Sequence, residues 1–188
     1  ATLGGALLQL TRCPYFRQIG FDCLKKGDAS CSFRESGLEL PICLDMGSCA
    51  YPHPSTLGMV LLTFDASLEW QDGSLLPIAE LYRPESIEYG LSPQKILAAV
   101  RLNAASSAEQ SSYFRLINRA ESEWPEIECA VRLLMDGTTI REARIAVGGI
   151  ANIPLRLPAS EKVLQGQELT ITVLEKAAAA AQETQYTV

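Results

Sequence analysis

Residues 128–147 read ECAVRLLMDGTTIREARIAV, and this stretch decides the fold class. Glu128 to Met135 and Thr139 to Val147 are β-rich apolar runs on either side of Asp136-Gly137, a dipeptide that favours a tight hairpin turn. Two strands joined this closely must pair antiparallel. A second Asp-Gly step, Asp72-Gly73, lies between Asp65–Trp70, which alternates like a strand, and Ser74–Ile78, which reads as the returning strand. Ile96–Leu102 and Tyr113–Ile117 read as further strands.

Helices are expected between these hairpins. Leu57 opens a helical apolar pattern directly after Pro54-Ser55-Thr56, where a hydroxyl can cap the first turn. Ala159–Leu164 reads as a short helix stopped by Gly166, and Glu168–Gln182, with its alanine run, is a strong helix former expected on the surface. Residues 1–10 read as a short strand or turn carrying the Gly4-Gly5 step. The class is therefore α+β with antiparallel hairpins. The polar stretch Asn103–Ser112 is the best boundary candidate, dividing the chain near residue 110.

Composition narrows the function classes. The chain has 188 residues, 47% hydrophobic and 20% charged, the make-up of a packed globular protein. The net charge of -6 argues against nucleic acid, whose binders cluster Lys and Arg. No apolar run is long enough to span a membrane. A single histidine, His53, excludes a multi-histidine metal site. It lies between Pro52 and Pro54, where a positional role or plain exposure is expected rather than pairing with Ser55 as nucleophile. The chain starts at Ala1 without a signal-like segment, which reads as a piece of a longer protein.

Five of the six cysteines, Cys13, Cys23, Cys31, Cys43 and Cys49, fall in residues 12–50, a glycine-punctuated, largely irregular loop. The readings open from the residues are reduced structural thiols, a disulfide framework, or a thiolate metal site. The basic residues Arg12, Arg17, Lys25, Lys26 and Arg34 in the same loop would offset the negative charge of a ligated centre. Cys129 reads as a small buried hydrophobe. The glutamates Glu121, Glu123, Glu126 and Glu128 read as a solvated or partner-facing surface.

Four segments, Thr2-Leu-Gly-Gly-Ala-Leu-Leu-Gln, Thr11-Arg-Cys-Pro-Tyr-Phe-Arg, Cys49-Ala-Tyr-Pro-His-Pro-Ser and Ala143-Arg-Ile-Ala-Val-Gly-Gly-Ile, occur together in this order. In that order the chain resembles the FAD-binding subunits of molybdenum hydroxylases, the xanthine dehydrogenase, aldehyde oxidoreductase and carbon monoxide dehydrogenase group. The cysteine loop is most similar to the bacterial aldehyde oxidoreductase branch. The resemblance implies that residues 1–110 are the second lobe of a two-lobed FAD-binding domain, including the 12–50 loop. Residues 111–188 would then be a small sheet-plus-helices C-terminal domain.

The resemblance also implies the site. Thr2, Gly4, Gly5, Leu8 and Gln9 would line the FAD, with the glycine step lying against its pyrophosphate. Ser55 and Thr56 would contact the linker, Ile96 and Leu97 would pack near the isoalloxazine, and Arg115 would keep a cation near the ring. Ala6 and Thr56 depart from the family, which carries Asn and Asp there. Cys13, Cys23, Cys31 and Cys49 match the ligands of an extra 4Fe-4S cluster in the aldehyde oxidoreductase branch, with zinc the rival occupant, and Cys43 has no counterpart.

The implied activity is electron transfer from iron–sulfur clusters through FAD to NAD, a quinone, a ferredoxin or oxygen. It would run beside a molybdenum-cofactor subunit that hydroxylates aldehydes or N-heterocycles and a 2Fe-2S subunit. The compartment would be cytoplasmic, or periplasmic through a partner's export signal. A flavin-free assembly module with a metal-stapled loop is the alternative.

Overall fold

The computed structural model describes residues 2–82, 95–118 and 124–183. Glu121 and Glu123 of the glutamate cluster lie outside these residues.

Two antiparallel sheets form the frame. In the first, strands β1 (Ser67–Trp70), β2 (Leu75–Pro77) and β3 (Leu97–Arg101) run in the order β2-β1-β3. In the second, β4 (Glu109–Leu116), β5 (Ile127–Asp136), β6 (Thr139–Gly148) and β7 (Leu155–Arg156) run in chain order. Both Asp-Gly steps lie at the expected hairpins, with Glu69 opposite Leu75 and Asp136 opposite Thr139. Along β5 the buried positions alternate through Glu128 and Ala130 and then continue at Leu133 and Met135, the pattern of a sheet with one wet face.

Helix α1 (Leu3–Leu7) replaces the strand or turn expected for residues 1–10. Two glycines are poor helix formers. The turn closes because the Thr2 hydroxyl accepts the Gly5 N–H at 3.1 Å and Leu7 is fully buried. Helix α4 (Thr56–Thr63) begins where the capping reading puts it, with Ser55 Oγ accepting the Gly58 N–H at 3.0 Å. α4 packs on β5, β6 and β7. It also touches α1 and the short α5 (Ile78–Leu81), so one core runs from Leu7 through Met59 and Leu68 to Ile140 and Leu164.

Helix α6 (Pro158–Leu164) lies on β6 and on α7 (Ile171–Glu183), where the buried Ser160 hydroxyl donates to the Ala177 carbonyl at 2.7 Å. Arg156 ties α6 to the C-terminal end of α4. It grips Glu161 with two hydrogen bonds of 2.7 and 2.8 Å, and donates to the Leu62 carbonyl and to Asp65.

The cysteine loop is irregular but not coreless. It holds α2 (Pro14–Arg17), a 3-10 turn at Leu24–Lys26 and α3 (Ser32–Glu35). A satellite core of Cys13, Phe33 and Ala50 is ringed by edge-to-face aromatic contacts of Tyr15 with Phe21 and Phe33, and of Phe33 with Tyr51. The Arg34 guanidinium grips Asp45 at 2.7 and 2.8 Å and donates to the Gly47 and Ser48 carbonyls, closing the loop's far side. These rings give a loop without regular apolar periodicity a small core of its own.

Candidate functional site

Two clefts meet at the N-terminus of α4. The first, about 580 Å³, is lined by Thr2, Gly5, Ala6, Gln9, Arg12 and by Pro54 to Leu57. It gathers Thr2, Gly5, Gln9, Ser55 and Thr56 of the expected flavin set on one surface. Gly4 lies at its back, where the nearest atom to an added Cβ would be Leu97 Cδ2 at 3.7 Å. Leu8 turns away and packs against the core. Ile96 is 63% exposed and stands outside the cleft.

The second cleft, about 400 Å³, shares Arg12, Pro54 and Thr56 with the first and adds His53, Arg115, Trp124, Glu128 and Gly149. Arg115 is therefore next to the groove rather than in it. The Arg12 guanidinium stacks 4.1 Å from the centre of the Trp124 ring, a cation–π contact that ties the cysteine loop to the second sheet. Burial, followed by the neighbouring Arg17, lowers the Arg12 pKa, and Glu128 works in the opposite direction.

His53 is buried, not exposed. Its Nδ1 accepts the Ser55 N–H at 3.1 Å, and its ring meets Tyr82 edge-on at 4.9 Å. Burial, with Lys25 nearby, pulls its pKa down to about 3. The imidazole is thus a neutral strut under the α4 cap and no general base. Glu128 overturns the solvated-face reading. It is 3% exposed and accepts hydrogen bonds from Thr56 Oγ1 at 2.7 Å and from the Tyr113 hydroxyl at 3.0 Å. Nothing in the local sequence separated it from the neighbouring glutamates. Its place opposite Gly148 in the β5–β6 register did.

The thiols form a separate constellation. Cys13, Cys23, Cys31 and Cys49 line one cavity with Thr11, Lys25 and Phe33, while the exposed Cys43 and the β5 residue Cys129 are elsewhere. Cys13, Cys23 and Cys31 each occupy the position just before a helical turn. At Cys13 the backbone N–H groups of Tyr15 and Phe16 point at the sulfur and favour the thiolate, though burial outweighs them and raises the thiol pKa. Burial also raises Cys49, against the pull of the Tyr51 backbone and Lys25. The cavity is small, about 20 Å³, close to the room one water needs. Among the described residues, no three His, Cys, Asp or Glu side chains converge closely enough to hold a metal ion as they stand.

Residues 112–186 match the CO dehydrogenase flavoprotein C-terminal domain. The chain is also 28% identical, over 185 residues, to the aldehyde oxidoreductase FAD-binding subunit PaoB of Escherichia coli (strain K12). Both matches make the chain similar to the FAD-binding subunits of molybdenum hydroxylases. The PaoB match takes in 93% of this chain and 57% of that protein.

Among solved structures, reconstituted CO dehydrogenase from Oligotropha carboxidovorans superposes with a TM-score of 0.59 at 25% identity, over 68% of this chain and 46% of that one. CO dehydrogenase from Hydrogenophaga pseudoflava, in a form lacking the Mo-pyranopterin moiety of the molybdenum cofactor, shares the fold. Its TM-score is 0.58 at 22% identity, over 72% of this chain and 45% of that one. The chain thus spans about half the length of the relatives it matches. Among the described residues, no helix is long and apolar enough to cross a membrane.

Proposed function

We propose that this chain forms one wall of the FAD site in an oxidoreductase subunit that serves a molybdenum-dependent dehydrogenase acting on aldehydes or N-heterocycles. The observation that carries this reading is the convergence of Thr2, Gly5, Gln9, Ser55 and Thr56 on one groove, from segments some fifty residues apart in the chain. Gly5 presents backbone without a side chain, which admits a diphosphate at contact distance. Ser55 is committed to capping Gly58, so its hydroxyl orients the groove wall. Arg12 and Arg115, on the adjoining cleft, supply positive charge for an anionic ligand. FAD, when bound, supplies the redox chemistry, and the protein supplies binding, orientation and electrostatics.

Electrons would arrive from the iron–sulfur clusters of the same complex and leave to an external acceptor. The partners would be a molybdenum-cofactor subunit and a 2Fe-2S subunit. The name of PaoB, an aldehyde oxidoreductase FAD-binding subunit, supports this reading.

The second site supports a metal proposal. Four thiols lining one cavity, three of them placed just before helical turns and one, Cys13, faced by backbone N–H groups, suit a four-thiolate 4Fe-4S cluster. A single zinc ion would need all four sulfurs about 2.3 Å from one point, a tighter convergence than the loop has. A cluster's ligands attach to separate irons and stand further apart. Lys25 offsets the charge, and loading the metal releases the thiol protons.

The test uses the full-length subunit purified in its complex. FAD released by denaturation should be near one per subunit, with four irons and four sulfides in excess of the 2Fe-2S centres. Cys13→Ser or Cys49→Ser should remove those four irons, while Cys43→Ser and Cys129→Ser retain them. Zinc in their place would overturn the cluster. A complex without flavin would overturn the FAD reading and favour the assembly module.

A further inference from the structure

We infer that Glu128 is the positioning residue of the flavin groove: its buried carboxylate fixes the Thr56 hydroxyl so that Thr56 turns only acceptor lone pairs toward the bound group. The inference rests on the flavin reading above and adds to it a polarity for the groove. The end at Thr56 takes a hydrogen-bond donor, and the end at Gly5 takes the phosphates.

A carboxylate removed from water is costly unless hydrogen bonds compensate it, and Glu128 is 3% exposed. Its compensation is specific. Thr56 Oγ1 donates to Oε2 at 2.7 Å, and the Tyr113 hydroxyl donates to the same oxygen at 3.0 Å. Burial first, with Glu128 next, holds the Tyr113 phenol above its ordinary pKa, so it stays a donor. A threonine hydroxyl has one hydrogen and two lone pairs. That hydrogen is spent on Glu128.

Thr56 borders both clefts, so its lone pairs are what a ligand meets there. With its hydrogen given to Glu128, Thr56 has no donor left for a phosphate oxygen, whereas a sugar hydroxyl or a ring N–H would be received.

The fold makes room for the arrangement. Glu128 pairs with Gly148 across β5 and β6 and with Arg115 across β4 and β5. A Cβ at position 148 would lie 2.8 Å from Glu128 Oε1 and 2.9 Å from its Cγ, so the carboxylate fits only because that residue is glycine. The bond to Thr56 spans 72 residues. It joins the start of α4 to the second sheet at the point where the two clefts meet.

The experiment compares the intact complex with Glu128→Gln, Thr56→Val, Thr56→Asp and the double variant Thr56→Asp/Glu128→Gln. The readouts are the FAD dissociation constant and the flavin midpoint potential. Glu128→Gln and Thr56→Val should each weaken FAD binding about ten-fold, the loss expected when a hydrogen bond to a charged group goes. Glu128→Gln should also raise the midpoint potential, because it removes a negative charge from the cleft that holds Arg115. Thr56→Asp alone sets two carboxylates against each other and should weaken binding. Moving the carboxylate in the double variant should recover most of the affinity lost in Glu128→Gln, which a purely structural role would not produce.

Where the Glu128 variants do not assemble, Thr56→Val tests the same bond with the carboxylate left in place. Wild-type complex full of FAD, with affinity and potential unchanged in Glu128→Gln, overturns this inference alone. Wild-type complex without FAD overturns the flavin reading beneath it as well.

Discussion

His53 makes the acid stability of this chain unusually easy to read. It is the single histidine of 188 residues, and burial lowers its pKa from 6.5 to about 3. Between those values the unfolded chain binds a proton that the folded chain refuses. Stability from the neutral imidazole is therefore fully present above pH 6.5 and falls as the pH drops. The slope is about 1.4 kcal/mol per pH unit. Between pH 7 and pH 5 the loss amounts to about 2 kcal/mol, before most carboxylates begin to titrate.

The measurement is urea unfolding of the purified subunit at pH 7, 6 and 5. His53→Asn is the comparison, because the Asn Oδ1 can stand near the Nδ1 that accepts the Ser55 N–H. The variant should be less stable at pH 7, but its stability should be nearly flat down to pH 5. Parallel pH profiles for wild type and variant would refute the reasoning, since the slope would then belong to other groups.

Other perturbations follow from single contacts. In Gly58→Ala, the new Cβ would lie 2.8 Å from Tyr82 Cζ and closer still to its hydroxyl. Despite alanine's better helix propensity, thermal melts should show a loss of about 1–3 kcal/mol. Gly58→Ala/Tyr82→Phe should lose less than the sum of the two single changes. Ser55→Ala removes the α4 cap and should cost about 1 kcal/mol by denaturant titration. Arg156→Lys keeps the charge but loses the two-pronged grip on Glu161 and the reach to Leu62. The geometry of this partly buried pair sets the expected loss at about 1–2 kcal/mol, and an unchanged denaturant midpoint would argue that Arg156 does not tie α6 to α4.

The hairpins and the capped helix were legible because each depends on neighbours in sequence. Asp136-Gly137 and Asp72-Gly73 turn the chain by local backbone preference, and Ser55 caps α4 three residues away. The four thiols could be singled out from the wider cysteine set only through the family resemblance, since their spacing alone fits no metal motif. The fold then brings those four, and not Cys43, to one cavity. In residues 1–10 Gly4-Gly5 argues locally against a helix, and only the burial of Leu7 and the Thr2 cap make one form.

Glu128 marks the limit of what local sequence could give. Along the chain it is one glutamate among several, with nothing to distinguish it from Glu126 two residues before. Its burial comes from pairing with Gly148 on the next strand and from α4 bringing Thr56 across 72 residues. The same holds for His53, whose neutrality follows from the groups stacked around it and not from its flanking prolines. Sequence by itself determined the strands, turns, caps and chemical types available to this protein, because those preferences act over a few residues. Which carboxylate is buried, which imidazole stays neutral and which thiols meet were decided by tertiary packing, because desolvation and hydrogen bonding act between groups that only the fold makes neighbours.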